Sequence, residues 1–180
     1  MNNKDTTSFN NLQSYLAKMR GGAPLPAPAP LKLVGIAWLG GCIAIGIISL
    51  LVSITHQPLL LGSFGASCVL LFGFPDSPFS QPRNVIVGHT IASLTGLIFF
   101  HFLGNEWWSI ALATGSAIAC MQLTRSVHPP AGSNPVIVML AMPGWQFLLT
   151  PTLIGAFALV AVALFFNNIF RDRSYPIYWF

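Results

Sequence analysis

His128-Pro129-Pro130-Ala131-Gly132-Ser133-Asn134-Pro135 lies between two long apolar runs and decides how this chain folds. An imidazole, a hydroxyl, an amide and three prolines interrupt a protein otherwise built of hydrocarbon side chains. Proline fixes φ and lacks an N–H, so Pro129 and Pro130 bar a regular helix and keep the segment open. Lipid offers no partner to a freed backbone group. A broken, polar element therefore persists at membrane depth only where protein or a water-lined cavity satisfies it. The stretch points to a solute site.

Membrane depth follows from composition. Of 180 residues, 54% are hydrophobic and only 7% charged, against about a quarter charged in an ordinary soluble domain. The net charge of +4 is spread over span ends rather than gathered in one patch, so the expected partner is the lipid bilayer and not nucleic acid. Cys42, Cys68 and Cys120 fall inside apolar runs and read as small packing residues, not as a disulfide framework or metal cluster. No cofactor or metal is expected. Residues 1–32 lack a short apolar core followed by a small-residue cleavage site, so no signal peptide is expected.

Four runs, about 33–55, 84–103, 107–124 and 148–169, approach or exceed the roughly 20 apolar residues a crossing needs. Two shorter runs, 59–74 and 131–142, end at Pro75 and Pro143. They carry Gly62, Ser63, Gly65 and Ser67 in one and Gly132, Ser133 and Asn134 in the other. If both cross, the N-terminal tail, Arg83, Arg125 and Arg171/Arg173 face the cytoplasm and Glu106 faces outward, as the positive-inside rule prefers. The expected fold is an all-α polytopic membrane bundle of four full spans plus two short broken spans, in the cell (inner) membrane. Residues 1–32 form a cytoplasmic tail, 33–170 the transmembrane domain and 171–180 a second cytoplasmic tail. Within the first tail, residues 8–20 set Phe9, Leu12, Leu16 and Met19 on one side of a helix lying on the membrane, or are a disordered tail. Residues 23–31 are a stiff linker of Pro, Ala and Leu.

The halves share an order of landmarks. His56-x-Pro58, Gly62-Ser63, Pro75 and Gly88 run parallel to His128-x-Pro130, Gly132-Ser133, Pro143 and Gly155. Three crossings per half make the repeats opposite in orientation, a construction that places transporter sites where two interrupted helices meet. Gly88/Ala92/Gly96 and Ala111/Gly115/Ala119 read as packing seams.

The three motifs Gly62-Ser63-Phe64-Gly65-Ala66-Ser67, Ser80-Gln81-Pro82-Arg83-Asn84 and His128-Pro129-Pro130, in that order, resemble those of the HPP family of integral membrane proteins. The resemblance covers about residues 15–175. It implies transport, with nitrite the substrate of plastid and cyanobacterial members. The two broken crossings expected here add to the four spans usually described for the family. Some members carry a soluble CBS-domain tail, which is not expected here.

Each candidate residue has a functional and a structural reading. His128 binds an anion or relays a proton, or is a neutral ring bonded to a carbonyl. Gly132, Ser133, Asn134 and nearby amides hold a small anion at the start of a helix over 136–142, or merely cap it. Gly62, Ser63, Gly65 and Ser67 offer a similar concavity, or pack a helix closely. Arg83 and Arg125 hold an anion at the mouth, or anchor topology. His56, outward in this arrangement, matches His128 in the repeat, so that the two read as matched gates. His89 and His101 read as packing or interfacial residues, and Trp107, Trp108, Trp145 and Trp179 as interface anchors.

The leading expectation is a transporter or channel for a small inorganic anion, and a chain this small is compatible with a homo-oligomer. A non-transporting scaffold or sensor is the alternative. An intramembrane enzyme is disfavoured because the carboxylates Asp5, Asp76, Glu106 and Asp172 all lie outside the spans, and no histidine pair has ligand spacing around a carboxylate.

Overall fold

A computed structural model describes residues 13–179, and every regular element among them is helical. Residues 1–30 are a unit of their own. In it, residues 13–18 form a short helix with Tyr15, Leu16 and Met19 near its end all exposed, and residues 21–30 have no regular structure. Phe9 and Leu12 of the expected apolar side, and the carboxylate Asp5, lie outside the described residues.

The second unit, Leu31–Phe180, carries six helices. They are α1 (Leu31–Thr55), α2 (Gly62–Cys68, prolonged by a π turn over Val69–Gly73), α3 (Pro82–Leu103), α4 (Trp107–Leu123), α5 (Asn134–Ala141) and α6 (Ile154–Asn168). Tight 3-10 turns at Pro78–Ser80, Pro129–Ser133 and Trp145–Leu148 join them, and a π-type turn over Leu149–Leu153 leads into α6. The order long helix, short helix, long helix thus occurs twice, with one 3-10 turn in the first half and two, flanking the short helix, in the second. Three stretches, Leu31–Thr55, Pro82–Leu103 and Trp145–Asn168, the last kinked at Thr150 (φ −128°, ψ 120°), are long and apolar enough to cross a membrane. Helix α4, with 17 residues, is about 26 Å long at 1.5 Å per residue, a little short of the roughly 30 Å hydrocarbon core. Helix α5 starts at Asn134, two residues before the expected 136.

Local chemistry sets the helix ends. Pro82 opens α3, where its missing N–H has no intrahelical partner to lose. Gly104 closes it at φ 76° and donates to the Phe100 carbonyl. The ends of α1, α4 and α5 instead place His56, Arg125 and Met142 at φ 55°, 54° and 47°, a left-handed conformation that costs an L-residue about 1–2 kcal/mol. Pro58 and Pro143, one or two residues beyond, reinforce two of these stops.

Between helices in lipid there is little hydrophobic drive, so close approach and dispersion hold the bundle together. Helix α3 is the hub, packed on α4, α5, α6 and the adjoining turns. Its Gly88/Ala92/Gly96 seam is buried as expected. A Cβ on Gly96 would stand 2.8 Å from Pro135 Cα. On the other side, Phe72 and Phe166 meet edge-on at 5.5 Å against Gly40 of α1. The second expected seam is corrected: Ala111, Gly115 and Ala119 face outward, and the buried stripe of α4 is Ser109, Ala113, Ala117 and Met121. Regular spacing defines a face but not the direction in which it points.

The two ends of the bundle differ in charge. Lys32, Asp76, Arg171 and Arg173 line one cleft of about 710 Å³, and Lys32 lies 3.4 Å from Asp172. The Tyr178 hydroxyl donates to Asn84 Oδ1, and Arg83 Nη2 donates to the Thr124 carbonyl at the end of α4. These bonds gather Lys32, Arg83, Arg125, Arg171 and Arg173 toward one end. At the other end His101 stacks on Trp145, with ring centroids 4.8 Å apart.

Candidate functional site

Ser63 and Ser67 lie one turn apart on the inner face of α2, while Gly62, Gly65 and Ala66 face outward. A Cβ on Gly62 or Gly65 would meet nothing, so glycine-mediated close packing within this chain is not the reason for either residue. His89 and Ser93 likewise stand one turn apart on the inner face of α3. Opposite them, His128 enters in extended conformation immediately before the 3-10 turn that Pro129 and Pro130 impose. Gly88 makes room for it: a Cβ there would lie 2.8 Å from His128 Cβ and 2.9 Å from the Ser126 carbonyl. Asn134 opens α5, and Thr152 arrives from the turn before α6.

These side chains form one continuous network, and Ser67, His89, Ser93, His128, Asn134 and Thr152 are all fully buried. Ser67 Oγ lies 3.0 Å from His89 Nε2 and 2.8 Å from His128 Nε2. His128 Nδ1 lies 2.7 Å from the Phe79 carbonyl. Asn134 Nδ2 lies 3.1 Å from His89 Nδ1 and donates to Ser93 Oγ at 2.9 Å, which also accepts from Thr152 Oγ1 at 2.9 Å. The rings of His89 and His128 approach to 4.9 Å, and Phe64 meets His89 edge-on at 5.1 Å. Two buried atoms beside this chain, Ser63 Oγ and Asn134 Oδ1, have no partner among the described residues. No carboxylate, lysine or arginine is among the described buried residues.

Of the expected site residues, the structure therefore unites Ser67, His128 and Asn134, with Ser63 alongside. Gly132 is half-buried in the 3-10 turn with open space beside it, and Pro130 is buried beneath. Ser133 is exposed and gives its hydroxyl hydrogen to the Pro130 carbonyl at 2.8 Å, so it does not cap α5 with its side chain. Ser133→Ala is accordingly expected to leave thermal stability in detergent within about 0.5 kcal/mol of wild type, the range for exposed positions. His56 is exposed at the end of α1, and its ring makes no hydrogen bond to a described residue.

His89 corrects the expectation of a packing or interfacial residue, because it is the centre of the polar chain. His89 does stand on the same face as Ser93 and beside the small seam Gly88/Ala92/Gly96, but that spacing alone does not say whether the face meets lipid or a partner ring. Thr152 had no sequence signal.

Arg83 and Arg125 lie outside this network. Arg83 closes the free carbonyl of α4, and Arg125 is exposed. The segment Ser80–Asn84 is a junction. Ser80 Oγ donates to the Phe74 carbonyl at 2.7 Å and lies 3.1 Å from that of Leu70, and Gln81 Nε2 donates to those of Pro75 and Ser77. Asn84 Nδ2 donates to the Val127 carbonyl beside His128. The C-terminal tail straps across it through Tyr175 Oη, which donates to the Ser80 carbonyl, and Ile177 N, which donates to Gln81 Oε1. Burial pushes the Tyr175 phenol above its usual range, keeping it a donor.

Apolar helices closed around a buried polar core of histidine, serine and asparagine define an integral membrane protein with a polar centre. The chain belongs to the HPP family: the model of its transmembrane region matches residues 26–176. Two transmembrane proteins of Dictyostelium discoideum are similar to it. They are 37% and 36% identical over 92% of this chain, and the matches cover 57% and 63% of their own lengths. The chain thus spans about three-fifths of those relatives. No solved structure matches it.

Proposed function

We propose that the protein is a multi-pass transporter or channel for a small inorganic anion, nitrite first, in the cell (inner) membrane, and not an enzyme. One observation carries the reading: the two interrupted segments, though 61 residues apart in sequence, touch through Ser67 and His128 at 2.8 Å. Where two broken helices meet inside an apolar bundle, amides and hydroxyls can replace the hydration a solute gives up.

Six passes with both termini cytoplasmic accord with the arrangement of ends. Lys32 and Arg83 open α1 and α3 at the same end, so the chain over 56–81 returns between them. Helix α4 finishes beside Arg83 and Trp145 stands beside His101, so the chain over 124–144 runs the other way. Basic residues gathered at one end then face the cytoplasm. Three passes in each half, with the repeated element order, support an inverted repeat and alternating access. Helix α2 with its π turn, and α5 with its 3-10 turn, are the two broken spans.

A second reading has one observation in its favour. Ser67 Oγ stands at nucleophile-to-base distance from His128 Nε2, with Nδ1 held by a carbonyl. An intramembrane hydrolase is therefore the rival, although its serine is fully enclosed and its hydroxyl shared with a second ring.

Purified protein in liposomes loaded with an anion-sensitive dye decides between them. Nitrite flux well above that of protein-free vesicles is expected, with nitrate, formate and chloride compared. No flux for any anion, together with covalent labelling of Ser67 by a fluorophosphonate, would establish the hydrolase instead. Absence of both would leave the scaffold or sensor role.

A further inference from the structure

We infer that the anion travels with a proton, held between His89 and His128 by the Ser67 hydroxyl, so that the pair crosses without net charge. The inference rests on the transport reading and names its coupling ion.

Donor counting fixes the resting state. The Phe79 carbonyl only accepts, so His128 Nδ1 carries hydrogen. In a neutral ring Nε2 is then a lone pair, and Ser67 must donate to it. Having one hydrogen, Ser67 Oγ can only accept from His89 Nε2, which places the hydrogen of that ring on Nε2. His89 Nδ1 is left to accept from Asn134 Nδ2, whose other hydrogen goes to Ser93. Every bond points the same way, from Asn134 toward Phe79, and the two rings are opposite tautomers.

One further proton fits without moving a heavy atom. It forms an N–H bond at His128 Nε2, while Nδ1–H remains on Phe79. Ser67 then accepts from both rings and turns its own hydrogen, with its O–H bond intact, to the Ser63 carbonyl 3.1 Å away. The hydroxyl has a second acceptor waiting for the protonated state.

Charge balance supplies the coupling. The other buried titratable groups among the described residues are Cys68, which packs toward Gly41 of α1, and Tyr175, whose hydroxyl donates to Ser80. Arg83 ends on the Thr124 carbonyl. No buried described residue of α1, α4, α5 or α6 carries a titratable side chain. An imidazolium here meets no carboxylate and an anion meets no fixed cation, and an unpaired buried charge is strongly unfavourable. Each needs the other. Ser63 Oγ is an unused donor and Asn134 Oδ1 an unused acceptor. That set suits a small oxyanion, which becomes a donor on sharing the proton, better than chloride.

Proteoliposomes carrying an internal pH dye and a nitrite readout test this, after subtraction of flux in protein-free vesicles. Nitrite entry is expected to acidify the lumen in proportion. Its rate should stay unchanged whether a potassium–valinomycin clamp holds the potential at zero or inside-negative. Nitrite flux without acidification, or flux that depends on potential, overturns the coupling and leaves transport standing. No flux for any anion overturns both. Ser67→Thr should keep coupling and Ser67→Ala should lose it; full coupling in Ser67→Ala overturns the role of the hydroxyl. Should Ser67→Ala not fold, nitrogen-15 histidine spectra of the wild-type protein in nanodiscs decide. Hydrogen on Nδ1 of His128 and Nε2 of His89 is expected, and matching tautomers overturn the arrangement.

Discussion

His89→Ala should reduce the proposed anion flux by about a hundredfold, equivalent to two steps of about 1.4 kcal/mol, and lower stability more than any other histidine substitution. The ring joins both broken segments: one nitrogen lies 3.0 Å from Ser67 Oγ on α2, the other 3.1 Å from Asn134 Nδ2 on α5. Its removal strands both partners in an enclosed, apolar surround and leaves a cavity beside Phe64. A large-to-small change with orphaned polar groups is on the order of 3 kcal/mol. His101→Ala, at an exposed ring stacked on Trp145, should change neither quantity appreciably. Thermal unfolding in detergent and flux in proteoliposomes measure the two effects. A His89→Ala protein with wild-type melting and transport would remove the buried chain from any account of this molecule.

Gly155→Val should be the most damaging small change to the fold. A Cβ at residue 155 would collide with the Phe64 ring and stand 2.6 Å from the Leu59 carbonyl. The carbonyl is backbone and cannot swing aside, and Phe64 is fully buried with its ring edge-on to His89. Overpacking of this kind costs about 1–3 kcal/mol or more, because the neighbours must shift as a body. The strain passes through Phe64 into the site, so stability and the proposed transport should fall together. Gly115→Ala provides the contrast, since a Cβ there meets nothing within the chain. The melting temperature is expected to drop sharply for the first variant and hold for the second. Equal melting temperatures would contradict the close approach of α6 to residues 59–64.

Much of this architecture is legible in the sequence because lipid imposes a single rule on long apolar runs. The runs 33–55, 84–103 and 107–124 coincide with α1, α3 and α4 to within about two residues, the usual uncertainty of helix ends. The short segments before Pro75 and Pro143 are short helices in the structure. Ser67, His128 and Asn134 stand out as polar residues on segments where polarity is expensive. His89 does not, because a single histidine inside a full-length span carries the same composition whether it faces lipid, a neighbour or a partner ring. The direction of a small-residue stripe is hidden for a related reason. Gly88/Ala92/Gly96 and Ala111/Gly115/Ala119 have identical spacing, yet one receives the 126–138 segment and the other turns outward. The role of Arg83 is likewise invisible, since its partner is a backbone carbonyl 41 residues away.

The wide separation of Ser67 from His128 bears on how the protein is made. A ribosome adding about 5–20 residues per second needs several seconds to span that interval. Until it is complete, Ser67 and His89 of the nascent chain can meet each other but lack His128 and Asn134, their partners from the second half. Those groups must wait in the insertion machinery, at the lipid headgroups or with borrowed water. Biogenesis, more than the finished bundle, is where truncations between residues 90 and 127 should be most readily cleared by quality-control proteases.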